Sequence, residues 1–191
     1  WAAGLDNTGY HYTGNAIKPE IHVYKGYKLL TEKTDYTLSY KNNKNVPKGI
    51  TEDKKKPQII IKMKGDYSGS ETVYFNIIPM PLENLTADND VFSTEYKAGK
   101  KNLLKPNLMY NGNKVKYGAK DITFKWFTTD EATDTESNCT EPGTYAVKVV
   151  AGKSGNYSSA ESGHEVAKII VSEENVPMSK VKITGFKGSQ P

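Results

Sequence analysis

Catalysis and metal binding need nucleophiles, acids, bases or ligands that converge, and few residues of this 191-residue chain qualify. The three histidines are His11, His22 and His164. None stands at metal-ligand spacing from another or from Cys139, the single cysteine. Ser162-Gly163-His164-Glu165 gathers a hydroxyl, an imidazole and a carboxylate in sequence. It reads as a polar loop before a strand, whereas a triad is defined by convergence in space. Cys139 sits in the acidic stretch Thr135–Glu141, whose carboxylates should raise a thiol pKa and oppose nucleophilic use. Asp88-Asn89-Asp90 carries calcium-ligating types but lacks the further oxygens and the fixed glycine of an EF-hand loop. It reads as a solvated turn. No glycine loop for phosphate is present, and Thr51–Pro57 reads as a charged hairpin tip. The expectation is no catalytic residue, no metal site, no cofactor and no enzyme.

Binding is the chemistry that remains. Tyrosine is in excess, at 13 residues. Tyr36, Tyr40, Tyr67, Tyr145 and Tyr157 fall at core positions by pattern. Tyr10, Tyr24, Tyr27 and Tyr110 stand beside turns and are expected to be exposed. Exposed tyrosines offer large contact area at small entropic cost. Tyr24, Tyr27 and Tyr110 are therefore the partner-binding candidates; the competing reading is plain β-propensity at edge strands. The formal net charge is +4, and every one of the 26 basic residues is lysine. Arginine is favoured for bidentate phosphate and base-edge contacts, so its absence argues against nucleic acid as partner. No apolar run is long enough to span a membrane, so no membrane insertion is expected in this fragment, and no signal peptide is visible. Trp1 in place of Met leads to the expectation that the chain is a piece of a longer array.

The elements that must carry these residues are strands. Tyr36, Leu38 and Tyr40 alternate along one face; Ile59–Met63 and Thr72–Ile77 are β-branched or aromatic and apolar. Ile122–Phe127, Thr144–Val150 and Val166–Val171 repeat the pattern. Lys25-Gly26, Asn42-Asn43, Asn111-Gly112 and Pro142-Gly143 punctuate them as turns. Three landmarks recur in the same order. Pro19 and Pro106 stand 87 residues apart, Asp35 and Asp121 stand 86 apart, and Tyr67 and Tyr157 stand 90 apart. Two diverged copies of one unit follow, at 1–79 and 80–174, joined through Ile78-Pro79-Met80-Pro81, a stiff extended connector. Residues 175–191 read as a linker and, at Val181–Phe186, the first strand of a third copy. Short strands with regularly spaced turns indicate an all-β chain of two tandem immunoglobulin-like β-sandwich domains. In that frame Gly65-Asp66-Tyr67-Ser68-Gly69 reads as a tyrosine corner, its ring buried and its hydroxyl bonded to backbone. The loop Thr128–Pro142 of the second copy is longer and acidic, and loops that vary on a repeated scaffold tend to hold specificity.

Tyr12-Thr13-Gly14-Asn15-Ala16-Ile17-Lys18-Pro19, Asp35–Val46, Gly65–Gly69 and Thr72–Ile77 together resemble a bacterial immunoglobulin-like tandem repeat of Gram-positive gut-commensal surface proteins. The resemblance runs from Tyr12 to Ile78 and is looser in the second copy, where Ile122 and Trp126 replace Tyr36 and Tyr40. It implies a disulfide-free sandwich, extracellular on a bacterial cell surface or secreted, serving as stalk or adhesin. A similar group binds antibody variable domains as B-cell superantigens. The expected function is thus a non-enzymatic surface binding module whose partner is a host protein, most specifically immunoglobulin. The alternatives are a passive spacer repeat and a glycan-binding accessory module of a secreted hydrolase.

Overall fold

Strand formation follows the side-chain alternation. In Gln58–Met63, Ile59 and Ile61 are 0% and 1% exposed while Lys62 between Ile61 and Met63 faces solvent. The computed structural model describes residues 1–49, 52–129 and 135–173, and it is all-β, built from several sheets in a sandwich-like arrangement.

Before Pro79 the strands are β1 (Ala2–Ala3), β2 (Tyr10–His11), β3 (His22–Lys25), β4 (Lys28–Leu29), β5 (Tyr36–Lys41), β6 (Gln58–Met63), β7 (Ser70–Tyr74) and β8 (Ile77–Ile78). They pair as β1-β3-β4 and β5-β6-β7, both antiparallel, and as the parallel pair β2-β8. After Pro79 come β9 (Met80–Pro81), β10 (Thr86–Ala87), β11 (Val91–Glu95), β12 (Leu108–Tyr110), β13 (Asn113–Lys114), β14 (Ile122–Thr128), β15 (Gly143–Ala151), β16 (Tyr157–Ser158) and β17 (His164–Ser172). Their sheets are β10-β12-β13, β11-β17-β15-β14 and the parallel pair β9-β16.

The pairing diagram recurs. Ala2 opposite Val23 is repeated by Ala87 opposite Leu108, and Tyr24 opposite Leu29 by Met109 opposite Lys114. Leu38 opposite Ile61 is repeated by Phe124 opposite Val149. The parallel contact of β2 with β8 is repeated by β11 with β17. No sheet joins a strand before Pro79 to one after it among the described residues. Buried residues of both sets, from Tyr12 to Val171, form one continuous apolar cluster.

Two expectations need correction. The run Thr72–Ile77 is not one strand: β7 ends at Tyr74, and Ile77 starts β8 on a different sheet. Phe75 and Ile77 still share the core-facing side, 5% and 3% exposed, as residues two apart on an extended backbone do. Of the expected core tyrosines, Tyr36, Tyr145 and Tyr157 are buried, while Tyr40 and Tyr67 are half-buried. The expected strand Val181–Phe186 and residues 130–134 of the acidic loop lie outside the described residues.

Candidate binding surfaces

Several of the groups weighed above for chemistry have structural partners. The His11 ring nitrogen Nδ1 lies 3.0 Å from the Pro79 carbonyl, and His164 Nε2 lies 3.2 Å from the Leu85 carbonyl. Each can donate there in the matching tautomer. Asp88 accepts the Asn107 backbone N–H at 3.1 Å and its side-chain amide at 2.6 Å. These bonds hold the Asp88 carboxyl below its ordinary value, the side-chain bond foremost. Among the described residues no three His, Cys, Asp or Glu side chains gather as a metal site. Cys139 is fully buried, and burial pushes its thiol up to about 11. The direction is the expected one, but the cause is desolvation and not neighbouring carboxylates. The acidic loop turns inward at this residue: Cys139 has φ 50°, and its carbonyl accepts from the Asn102 side-chain amide at 2.9 Å. The lysines at the tip near Pro57 pair locally, Lys56 with Asp53 at 2.7 Å and Lys55 with Glu52 at 3.5 Å.

The three candidate tyrosines stand on equivalent hairpins. In the first, Lys25 pairs with Lys28 across the two-residue loop Gly26-Tyr27. In the second, Tyr110 pairs with Asn113 across Asn111-Gly112. Asn111 and Gly112 have φ 48° and 74°, the signature of a type I′ turn. Gly26 has φ 60° and Tyr27 does not, as a type II′ turn demands. A tyrosine is tolerated at that second position because it keeps negative φ. The outcome is Tyr27 at a hairpin apex, wholly exposed at 107%.

Tyr24 lies beneath it and is half-buried. Trp1 stacks on its ring at 4.4 Å and 10°, and Trp1 Nε1 donates to the Gly26 carbonyl at 3.3 Å. Trp1 and Leu29 are 63% and 54% exposed, so the hairpin carries an aromatic and aliphatic patch. Sequence inspection missed Trp1 and Leu29. The signal for Leu29 was available, since strand alternation places it on the face opposite Leu30, which is buried. Tyr10, by contrast, packs inward: its ring meets Phe75 edge-on at 5.7 Å, and its hydroxyl accepts the Asp6 N–H at 3.0 Å.

Tyr110 belongs to a different place. It lines an open cleft of about 460 Å³, together with Asn111, Asn113 and Lys116, and with Thr13 and Asn15 from before Pro79. The backbone approaches closely here: a side chain at Gly14 would put its Cβ 3.0 Å from the Lys116 carbonyl oxygen. Thr13 and Asn15 were legible only as part of the repeat signature.

Beside this cleft the two halves of the chain are bonded together. Tyr12 meets Tyr157 edge-on at 5.2 Å. The Asn156 side chain accepts the Val46 N–H at 3.0 Å and donates to Asp121 at 3.2 Å. The Asn156 carbonyl accepts the Met80 N–H at 3.0 Å. Burial works against the Asp121 carboxylate, yet bonds from Ser154, Gly118 and Asn156 outweigh it and hold its pKa low. The tyrosine-corner expectation is corrected here. Tyr67 receives the Lys28 ammonium at 3.1 Å in place of backbone, and the Tyr157 hydroxyl is buried with no hydrogen-bond partner among the described residues. The tyrosines whose hydroxyls donate to backbone carbonyls are Tyr40, to Pro19, and Tyr145, to Glu141, among the described residues.

Comparison of the chain with protein-family models, with curated proteins and with solved structures finds no match.

Proposed function

We propose that the chain comprises two tandem immunoglobulin-like sandwich units, 1–79 and 80–174, of a bacterial surface or secreted protein, and acts as a non-enzymatic binding module. Its most specific form is the binding of antibody variable domains. The observation that supports this is the β3–β4 hairpin, which holds Tyr27 wholly in solvent above Tyr24, Trp1 and Leu29. Hot spots of protein interfaces are enriched in Tyr and Trp placed on rigid supports. A two-residue turn and a stacked ring pair supply that rigidity here.

The test is retention of polyclonal IgA, IgG and IgM on a sensor bearing the chain. Retention should fall at least tenfold on Tyr27→Ala, with thermal stability unchanged because the side chain packs on nothing it must leave. No retention of any class by the parent chain would sink the reading. The second reading is a passive spacer, and it is supported by the joint around Asn156 and Tyr157, which couples the halves as a load-bearing rod would need. It predicts that Tyr24, Tyr27 and Tyr110 are replaceable without consequence for any ligand.

A further inference from the structure

The open cleft beside Tyr110 differs in chemistry from the Tyr27 hairpin. One wall comes from before Pro79, with Thr13 and Asn15; the other carries Tyr110, Asn113, Lys114 and Lys116. Gly14 lets the two walls meet. It has φ 79°, and a Cβ there would stand 3.0 Å from the Lys116 carbonyl oxygen, so the backbones approach as closely as a residue without a side chain allows. The volume of about 460 Å³ is that of a small-ligand site.

The lining selects the ligand. Lys114 and Lys116 are exposed, and neither ammonium has an ion pair or hydrogen bond among the described residues. No acidic residue lines the cleft with them among the described residues, so the site favours an anion. The Asn113 side chain donates once, to the Asn111 carbonyl at 3.1 Å, which leaves its second N–H and its own carbonyl open. Asn15 stands exposed across the cleft. An amide offers donors and an acceptor side by side, the combination that neighbouring sugar hydroxyls need. Tyr110 packs against the core and lines the cleft, a fixed ring beside which the C–H face of a pyranose can lie. An inorganic anion would use the lysines alone, and an apolar ligand would desolvate the amides without pairing them. We propose that this cleft binds a pyranose that bears a carboxylate, the chemistry shared by sialic and hexuronic acids. The carboxylate would sit on Lys114 and Lys116, the hydroxyls on Asn15 and Asn113, and the ring on Tyr110. The proposal is independent of antibody binding, since Trp1, Tyr24 and Tyr27 do not line the cleft.

The whole chain, isotope-labelled, is titrated at low ionic strength with N-acetylneuraminic acid, glucuronic acid, glucose and acetate. Amide resonances of Asn15, Asn113 and Lys114 should move with at least one sugar acid, at a Kd on the order of 1 mM for a ligand of that size. Which acid moves them tells a sialic from a hexuronic ligand. Glucose lacks the charge and acetate lacks the ring, so each should bind roughly tenfold more weakly. Replacing both exposed lysines, Lys114→Gln with Lys116→Gln, should weaken the acid by a similar factor and leave the core intact. Four results overturn the proposal: equal response to the acids and to glucose or acetate; no response at ~20 mM acid; shifts confined to other segments; or unchanged acid binding in the double variant. A tetraglutamate peptide that moves the same amides at lower concentration than either acid also overturns it, and assigns the cleft to acidic peptide. No readout involves antibody, so failure here leaves the reading of Tyr27 standing.

Discussion

Replacing Tyr157 by phenylalanine should stabilise this protein. The ring is 4% exposed and packs against Tyr12 at 5.2 Å, contacts a phenylalanine would keep. The hydroxyl is buried with no hydrogen-bond partner among the described residues. A buried polar group left unsatisfied costs about 1–3 kcal/mol in desolvation, and Tyr157→Phe removes that cost. We take ~1 kcal/mol as the expected gain, which in a chain of 191 residues with one continuous core raises the melting temperature by roughly 2–4 °C. Tyr145→Phe and Tyr40→Phe are the contrasts. Their hydroxyls donate to the Glu141 carbonyl at 2.8 Å and the Pro19 carbonyl at 3.0 Å, so each should lose about 0.5–1.5 kcal/mol. Urea unfolding of the three variants measures the differences directly. Alkaline titration gives a second sign. Burial raises the Tyr157 pKa in the folded state, and its proximity to Tyr12 and Asp121 adds to this. The share of stability tied to the neutral phenol is therefore complete below the unfolded value of about 10 and is lost as pH rises through the folded one. Tyr157→Phe should blunt that alkaline loss. A variant destabilised by ~1 kcal/mol or more would refute the reasoning, because the hydroxyl would then have a partner worth a bond.

Two further outcomes follow from the joint and the inward loop. Asn156→Asp sets a second carboxylate beside Asp121, where the native amide donates at 3.2 Å, and should cost about 1–3 kcal/mol at pH 7. The penalty should shrink near pH 4 as one proton is shared; a pH-independent penalty in chemical denaturation would exclude the charge mechanism. The parent protein behaves in the opposite sense: Asp121 has a lowered folded pKa, so its contribution is present above the ordinary carboxylate range and fades as pH falls through the folded value. Cys139, with its thiol pushed up to about 11 and no exposed surface, should resist thiol reagents at pH 8 until the protein unfolds. Labelling as fast as that of a small-molecule thiol would show the loop to be open.

The sequence by itself determined the class of structure, all-β. Period-two runs such as Gln58–Met63 and Ile122–Thr128 are strands because successive side chains leave opposite faces, a property of the local backbone. Gly26 and Asn111-Gly112 fix two-residue hairpins because only such residues accept positive φ cheaply, and this is why Tyr27 could be foreseen at a tip. The landmarks Pro19 and Pro106, Asp35 and Asp121, Tyr67 and Tyr157 foretold pairing diagrams that do recur. What each hydroxyl, amide and thiol meets was decided only in three dimensions. Tyr67 and Tyr157 share one sequence signature, yet among the described residues one hydroxyl receives an ammonium and the other no hydrogen bond, with Met80 and Tyr12 packed against the second. Cys139 stands among acidic residues in sequence, yet burial sets its pKa, because the chain turns inward there. Local periodicity reports which face a side chain takes; its partners come from segments tens of residues away, and the tertiary structure alone selects them.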